Sequence, residues 1–267
     1  MTEASSRAMP DADGFHRLEW AGGRAAIAKR RRDMPPAFFA AEALGLDALR
    51  RSKGLRVPEV FSVGVDHIVL EDLGVGTPGS AFHANAAIGL ARQHACLGEA
   101  FGFEADGWCG DSPQDNARDR DGHRFFAQRR LLPQAKRAFD AGRLSGRDMV
   151  RVDSICRRLD ALIPPQPPVL LHGDLWQGNL HACSDGDPAL IDAGAVHYGW
   201  AEAELAMLHL FGTPPEAFFA AYAEAARLDP GWRRRAPIYN LYHLLNHLNL
   251  FGAAYLEETR RVIERHG

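Results

Sequence analysis

The sequence predicts an α+β protein of two unequal lobes, a small mixed N-terminal lobe and a larger helical C-terminal lobe. The first 73 residues read as hairpin, helix and two strands. Residues 74–79 then hold three glycines and a proline, the composition of a linker. Beyond them most periodic segments are helical. The expected division is therefore 1–73 for the N-terminal lobe and 74–267 for the C-terminal lobe.

Each element has a local reason. Residues 15–20 and 25–29 flank Ala21-Gly22-Gly23-Arg24, which reads as a short hairpin turn. Pro35-Pro36 introduces 37–51, rich in Ala, Leu and Glu, and Ser52-Lys53-Gly54 supplies the stop. Residues 57–65 and 67–73 read as two further strands around a glycine-containing turn. In the larger lobe, 84–101, 125–142, 146–162, 215–227 and 237–265 predict helices. Four prolines within 164–168 lead into apolar 169–171, expected to pair with 189–192 and bracket a polar loop.

The bulk numbers exclude several classes. A chain of 267 residues, 46% hydrophobic and 24% charged, can bury a substantial core. Its formal net charge of −3 gives no global attraction for nucleic acid or an anionic membrane, so neither is an expected partner. The basic runs at 29–32 and 233–235 read as solvated faces. Cys96, Cys109, Cys156 and Cys183 form no C-x-x-C pair and match no zinc spacing, so they are expected to be reduced thiols. Residues 1–14 contain no apolar run, and no stretch is long and apolar enough to span a bilayer. A cytoplasmic location is the expectation.

The stretch that carries chemistry is His172-Gly173-Asp174-Leu175-Trp176-Gln177-Gly178-Asn179, followed by Leu190-Ile191-Asp192. An apolar strand delivers a carboxylate, an amide follows five residues later, and a second carboxylate closes another apolar run. Phosphoryl transfer from ATP needs this inventory: one carboxylate to take the hydroxyl proton, and an amide with a second carboxylate to hold magnesium. The Asp-x-x-x-x-Asn spacing equals that of the protein-kinase catalytic loop, and Gly173 in place of arginine points to kinases of small molecules. Such a fold also needs a strand lysine and a helical glutamate in the first lobe, and Lys29 and Glu42 stand where they are required. The backbone at Glu71 to Leu73, at the lobe junction, is the expected adenine contact.

With these residues in place, the chain resembles the fructosamine kinase (ketosamine kinase) family, relatives of the aminoglycoside phosphotransferases with a protein-kinase-like fold. The resemblance lies in residues 39–46 and 57–60, in Phe101-Gly102-Phe103, in Arg129-Arg130-Leu131, and most sharply in 171–179, 204–207, 210–212 and 241–247. It implies ATP-dependent phosphorylation of a sugar hydroxyl in a fructosamine or ribulosamine, free or protein-bound, in deglycation. It assigns Asp174 as catalytic base, Asn179 and Asp192 as Mg2+ ligands, and Lys29 to the phosphates with Glu42 supporting it. Trp176 is expected beside the sugar-amine, and Tyr198 is a second candidate for the acceptor site.

Three departures from the family pattern stand out. Residues 1–14, with Ser5, Ser6 and Gly14, match poorly the strand and glycine-rich loop that cover the triphosphate. Asp192-Ala193-Gly194-Ala195 makes a longer turn than Asp-Pro-Ala, and Glu204 replaces an aspartate. The alternative these features support is a catalytically weak, nucleotide-binding scaffold. Kinases of an aminoglycoside, choline or homoserine are disfavoured by Trp176 and the 241–247 run. His243, Asn246 and His247 share one helix face, where packing against the catalytic loop is expected ahead of metal binding.

Overall fold

A computed structural model describes residues 11–267, so the comparison of the glycine-rich loop with residues 1–10 lies outside the described residues. The hairpin forms as the glycines suggest: β1 (Gly14–Trp20) and β2 (Arg24–Arg30) pair antiparallel from Gly14↔Arg30 to Trp20↔Arg24. Helix α1 (Phe38–Ser52) follows, then β3 (Val60–Val63) and β4 (His67–Glu71), giving one sheet of order β1-β2-β4-β3. β3 starts three residues later than 57 because Pro58 has no N–H for a ladder.

Alternation along β2 decides where Lys29 goes. Ala26 and Ala28 face a small cluster with Val69, Leu18, Trp20 and Phe61. Lys29 lies on the other face, opposite Ile68, which packs with Phe39 and Leu46 of α1. The lysine is thereby aimed at the helix that carries Glu42.

The larger lobe runs α2 (Phe82–His94), a β5–β6 hairpin (Gly107–Cys109, Ser112–Gln114), α3 (Gly122–Phe126), a π-turn (Ala127–Leu131) and α4 (Leu132–Asp140). Then come α5 (Gly146–Arg157), α6 (Leu159–Leu162), β7 (Val169–Leu171), β8 (Leu180–Ala182), β9 (Pro188–Leu190) and β10 (His197–Gly199). Four helices close the chain: α7 (Ala201–Leu210), α8 (Glu216–Ala225), α9 (Trp232–Phe251) and α10 (Leu256–His266). One continuous core extends from Phe39 and Leu46 of the small lobe to Ile263 of α10.

Several sequence expectations need correction. The helix expected over 84–101 stops at His94, because Cys96 and Gly98 are drawn into backbone bonds with Leu170 and Pro168. The helix expected over 237–265 begins at Trp232, where Asp229 caps Gly231 N–H at 2.6 Å, and it breaks at Gly252, whose φ is +80°. Segments 107–114 and 201–210, for which no element was predicted, are the β5–β6 hairpin and α7. Strands β7 and β9 exist but do not pair: β7 pairs with β10, and β9 with β8. They are joined instead by His172, whose Nε2–H donates to the Ile191 carbonyl at 2.8 Å.

Candidate active site

The catalytic loop leaves β7 through His172, which is fully buried. A carbonyl can only accept, so His172 carries its proton on Nε2, and Nδ1 is free to accept the Asp174 N–H at 3.4 Å. Gly173 turns the chain at φ +83°, and a Cβ there would lie 2.1 Å from the Ala195 carbonyl oxygen. Its N–H donates to Glu204 Oε1 at 2.8 Å. Glu204 in turn meets His94 at 3.0 Å, and His94 contacts the Tyr222 hydroxyl at 2.7 Å. Burial pushes the Glu204 carboxyl up, but His94 and the Gly173 N–H more than offset this and hold it below the ordinary range. The longer acid at this position thus supports the loop directly.

The Asp174 carbonyl accepts from Trp176 N–H at 3.2 Å and from Asn179 Nδ2 at 2.9 Å, closing a tight loop around a 3-10 turn (Gln177–Asn179). The Asn179 carbonyl accepts the Ile191 N–H at 3.2 Å, which seats the amide beside Asp192. Asp192 occupies left-handed backbone space at φ +60°, unusual for a non-glycine residue and often a mark of function. The turn after it is fixed from three sides. Gly194 O accepts Trp108 N–H at 2.9 Å, Ala195 O accepts Gln114 Nε2 at 3.0 Å, and Gly45 of α1 lies so close that a Cβ would sit 2.0 Å from Ala193 O.

Lys29 Nζ donates to both Glu42 oxygens, at 2.9 and 3.0 Å, and to Asp192 Oδ1. Burial works against the ammonium, yet Glu42 and Asp192 together hold its pKa above the ordinary lysine value. Burial raises the Asp174 carboxyl above the usual aspartate range, against the opposing pull of His172, the Cys109 thiol and His247. His243, deeper in α9, is lowered by burial to about 3 and is neutral.

Two cavities meet at Asp174 and Trp176. One, of about 270 Å³, is lined by Lys29, Glu42, Asp192, Asn179, Arg31 and Trp108 among others. The second, of about 360 Å³, is walled by Trp176, Phe211, His247, Leu250, Phe251 and Tyr255. The first offers two cations, Lys29 and Arg31, four carboxylates, Glu42, Asp111, Asp174 and Asp192, and the Asn179 amide. With its Nδ2 spent on the loop, Asn179 retains Oδ1, and the hard oxygen set of Oδ1 and the Asp192 carboxylate fits Mg2+. The second is aromatic and apolar apart from Asp174, Asn246, Cys109 and the imidazole. Asp174 thus lies on the boundary between a charged cavity and a largely apolar one.

The sequence pattern described as fructosamine kinase matches residues 4–266. The chain belongs to the fructosamine kinase family. It is 37% identical over 236 residues, 85% of its length, to the "probable ketoamine kinase" of Synechocystis sp., covering 78% of that protein. The chloroplastic protein-ribulosamine 3-kinase of Arabidopsis thaliana is 32% identical over 252 residues, covering 88% of this chain and 74% of the relative. Among solved structures, a Thermobifida fusca protein carrying a provisional fructosamine-3-kinase name superposes with a TM-score of 0.87 at 37% identity, over 99% of this chain and 94% of the other. A macrolide 2'-phosphotransferase superposes at 0.58 with 15% identity, over 95% and 87% of the two chains, and so shares the protein-kinase-like fold. This kinase is therefore a phosphotransferase of small molecules acting on a sugar hydroxyl.

The kinase brings Lys29, Glu42, Asp174, Trp176, Asn179 and Asp192 to one place. Glu71 and Leu73 lie apart from both cavities. The Glu71 carboxylate is taken by Arg56 at 2.8 Å, and the Leu73 side chain is buried with Cys183 and Ala189, leaving only backbone at that junction. Tyr198 departs from expectation. On β10 its neighbours His197 and Gly199 face the core side, so Tyr198 faces away, into a separate cleft with Cys96, Phe103, Glu104 and Arg118. It does not reach the aromatic cavity. The basic runs are consumed locally: Arg31 meets Asp111 at 2.6 Å, Arg30 meets Asp66 at 2.6 Å, and Arg235 meets Glu202 at 2.7 Å. The His243 face of α9 packs beside the Asp174 loop as expected, whereas sequence reasoning missed Cys109, which meets Asp174 from β5. No spacing signal could have joined residues so far apart in the chain.

Proposed function

We propose that this kinase transfers the γ-phosphoryl of ATP to a hydroxyl of a ketosamine, a fructosamine or ribulosamine, in deglycation. The observation that carries the reading is the place of Asp174 on the boundary shared by the polar and aromatic cavities. In this reading Asp174 takes the hydroxyl proton as the oxygen attacks phosphorus, and Lys29 steadies the phosphates while Glu42 fixes the ammonium. Asn179 and Asp192 would hold Mg2+, which supplies charge neutralisation for the transferring group. Trp176, half exposed on the rim, covers the sugar-amine and keeps water from the attacking oxygen. The ribulosamine kinase relative and the family itself support the acceptor class.

The test is ATP consumption with fructosamine and ribulosamine acceptors, wild type against Asp174→Asn. Removing a positioned general base costs about a hundred- to ten-thousand-fold. Equal rates in the two proteins would remove Asp174 from this role, and no turnover with either acceptor in wild type would remove the acceptor class.

A further inference from the structure

Asp174 is not alone on the wall of the aromatic cavity. The Cys109 thiol reaches its Oδ1 at 3.6 Å, and His243 Nδ1 faces the same sulfur from α9 at 4.0 Å. One ligand atom from each of the three residues lies within 4.8 Å of the others. Around a tetrahedral zinc ion, with bonds of about 2.3 Å to sulfur and about 2.1 Å to nitrogen or oxygen, such atoms sit roughly 3.4–3.6 Å apart. The sulfur–oxygen separation already matches, and small side-chain rotations close the rest. The geometry points to a binding site for a thiophilic divalent cation, Zn2+ or Cd2+, formed by Cys109, His243 and Asp174. Among the described residues no other group of three His, Cys, Asp or Glu side chains converges in this way.

The surroundings are those of a ligand set. Asn246 Nδ2 donates to the Cys109 carbonyl at 3.1 Å and lies 3.3 Å from Sγ, where it would steady a thiolate as outer-shell groups do. His247 Nδ1 is engaged with the His243 carbonyl at 2.8 Å, which fixes the orientation of that ring beside the site. Cys109 and Asp174 both line the aromatic cavity, which gives an ion a way in and a water molecule the fourth position. Sulfur and imidazole select zinc or cadmium over magnesium, whereas the Asn179 and Asp192 oxygens make the opposite choice. One chain thus holds a hard cation site and a soft one on two sides of its base. Binding exchanges the thiol proton for the metal: the S–H bond breaks, the S–metal bond forms, and the proton leaves to solvent with no change of oxidation state.

The experiment is titration of Cd2+ into the full chain, followed by Zn2+ displacement. The expected result is a thiolate-to-cadmium charge-transfer band in the ultraviolet that saturates at one equivalent, with a proton released. Cys109→Ser and His243→Gln are each expected to weaken binding at least about tenfold. A band that persists unchanged in Cys109→Ser would overturn the proposal. Should that variant fail to fold, alkylation of the wild type read peptide by peptide decides: Zn2+ must protect Cys109 selectively, and equal labelling with and without Zn2+ defeats the site. Slower phosphoryl transfer under Zn2+ is a consequence that rests on Asp174 acting as base. The charge-transfer band does not, so the two readings fail separately.

Discussion

Replacing Gly173 with alanine tests whether backbone contact sets the position of the catalytic loop. Gly173 holds φ at +83°, and an added Cβ falls 2.1 Å from the Ala195 carbonyl oxygen. Left-handed backbone costs an ordinary residue about 1–2 kcal/mol. The clash adds to this, because an unstrained contact requires the two segments to part by more than about 1 Å in a close-packed interior. Those segments carry Asp174 and Asp192, so the proposed base moves relative to the carboxylate proposed to hold the cation. A misplacement of about 1 Å costs on the order of a hundredfold in rate. Gly142→Ala is the control: it has φ +68° with nothing within 4 Å of its Cβ, so it carries the same dihedral penalty far from the site. ADP release with a ketosamine acceptor, beside thermal melting, should show both variants less stable and only Gly173→Ala about a hundredfold slower. A folded Gly173→Ala with wild-type kcat would refute the reasoning.

Because burial raises the Asp174 carboxyl, and the proposed role as base requires it ionised, the acid limb of the kcat/KM profile is expected above the ordinary aspartate pKa of about 3.9, with activity lost as pH falls through the raised value. A limb at or below the ordinary value would contradict that environment. Glu204→Ala leaves the Gly173 N–H and His94 without their acceptor, a loss of about 1–3 kcal/mol for a buried group left unpaired, read by urea unfolding at neutral pH. Since Glu204 is depressed in the folded state, its contribution is present above the unfolded-state value of a glutamate and fades as pH drops through the folded one, so the difference between wild type and Glu204→Ala should narrow in acid.

The parts of the molecule visible in sequence are those whose physics is local. Ala21-Gly22-Gly23-Arg24 announced the hairpin because a tight turn needs positive φ, and both glycines have it. The Asp174–Asn179 spacing announced the loop because that loop closes on itself, carbonyl to amide, within six residues. Helix α7 was missed because it is buried on nearly every side: Glu204, Leu205, Ala206, Met207 and Leu208 are all inaccessible, so it shows no amphipathic period. The long helix expected over 237–265 was drawn through Gly252 because helical segments lie on both sides of the break, separated only by residues 252–255. Tyr198, a candidate for the acceptor site, is sent the other way by the strand pleat. Cys109 was dismissed on spacing, a test that detects only ligands brought together by local chain, whereas β5 and α9 converge on Asp174 through the tertiary fold.

Burial also decides which of the two contacts to Lys29 is permanent. Glu42 is 3% exposed and Lys29 13%, so breaking their pair would strand a buried charge at a cost of about 3–5 kcal/mol. Asp192 is 42% exposed, and an ion pair open to water on one side contributes about 0–1 kcal/mol. The Lys29–Glu42 contact therefore persists when other anions enter the cavity, while Lys29–Asp192 exchanges readily. A triphosphate oxygen can replace Asp192 on the ammonium without loss of charge balance, and the released carboxylate becomes available to a hard cation. In the structure Lys29 and Asp192 hold one another's places, and the weakness of that surface contact is what allows both to be given up together. Glu42→Gln should then destabilise the fold more than Asp192→Asn. The opposite order in urea unfolding of the two variants would mean that the exposed contact and not the buried one organises the site.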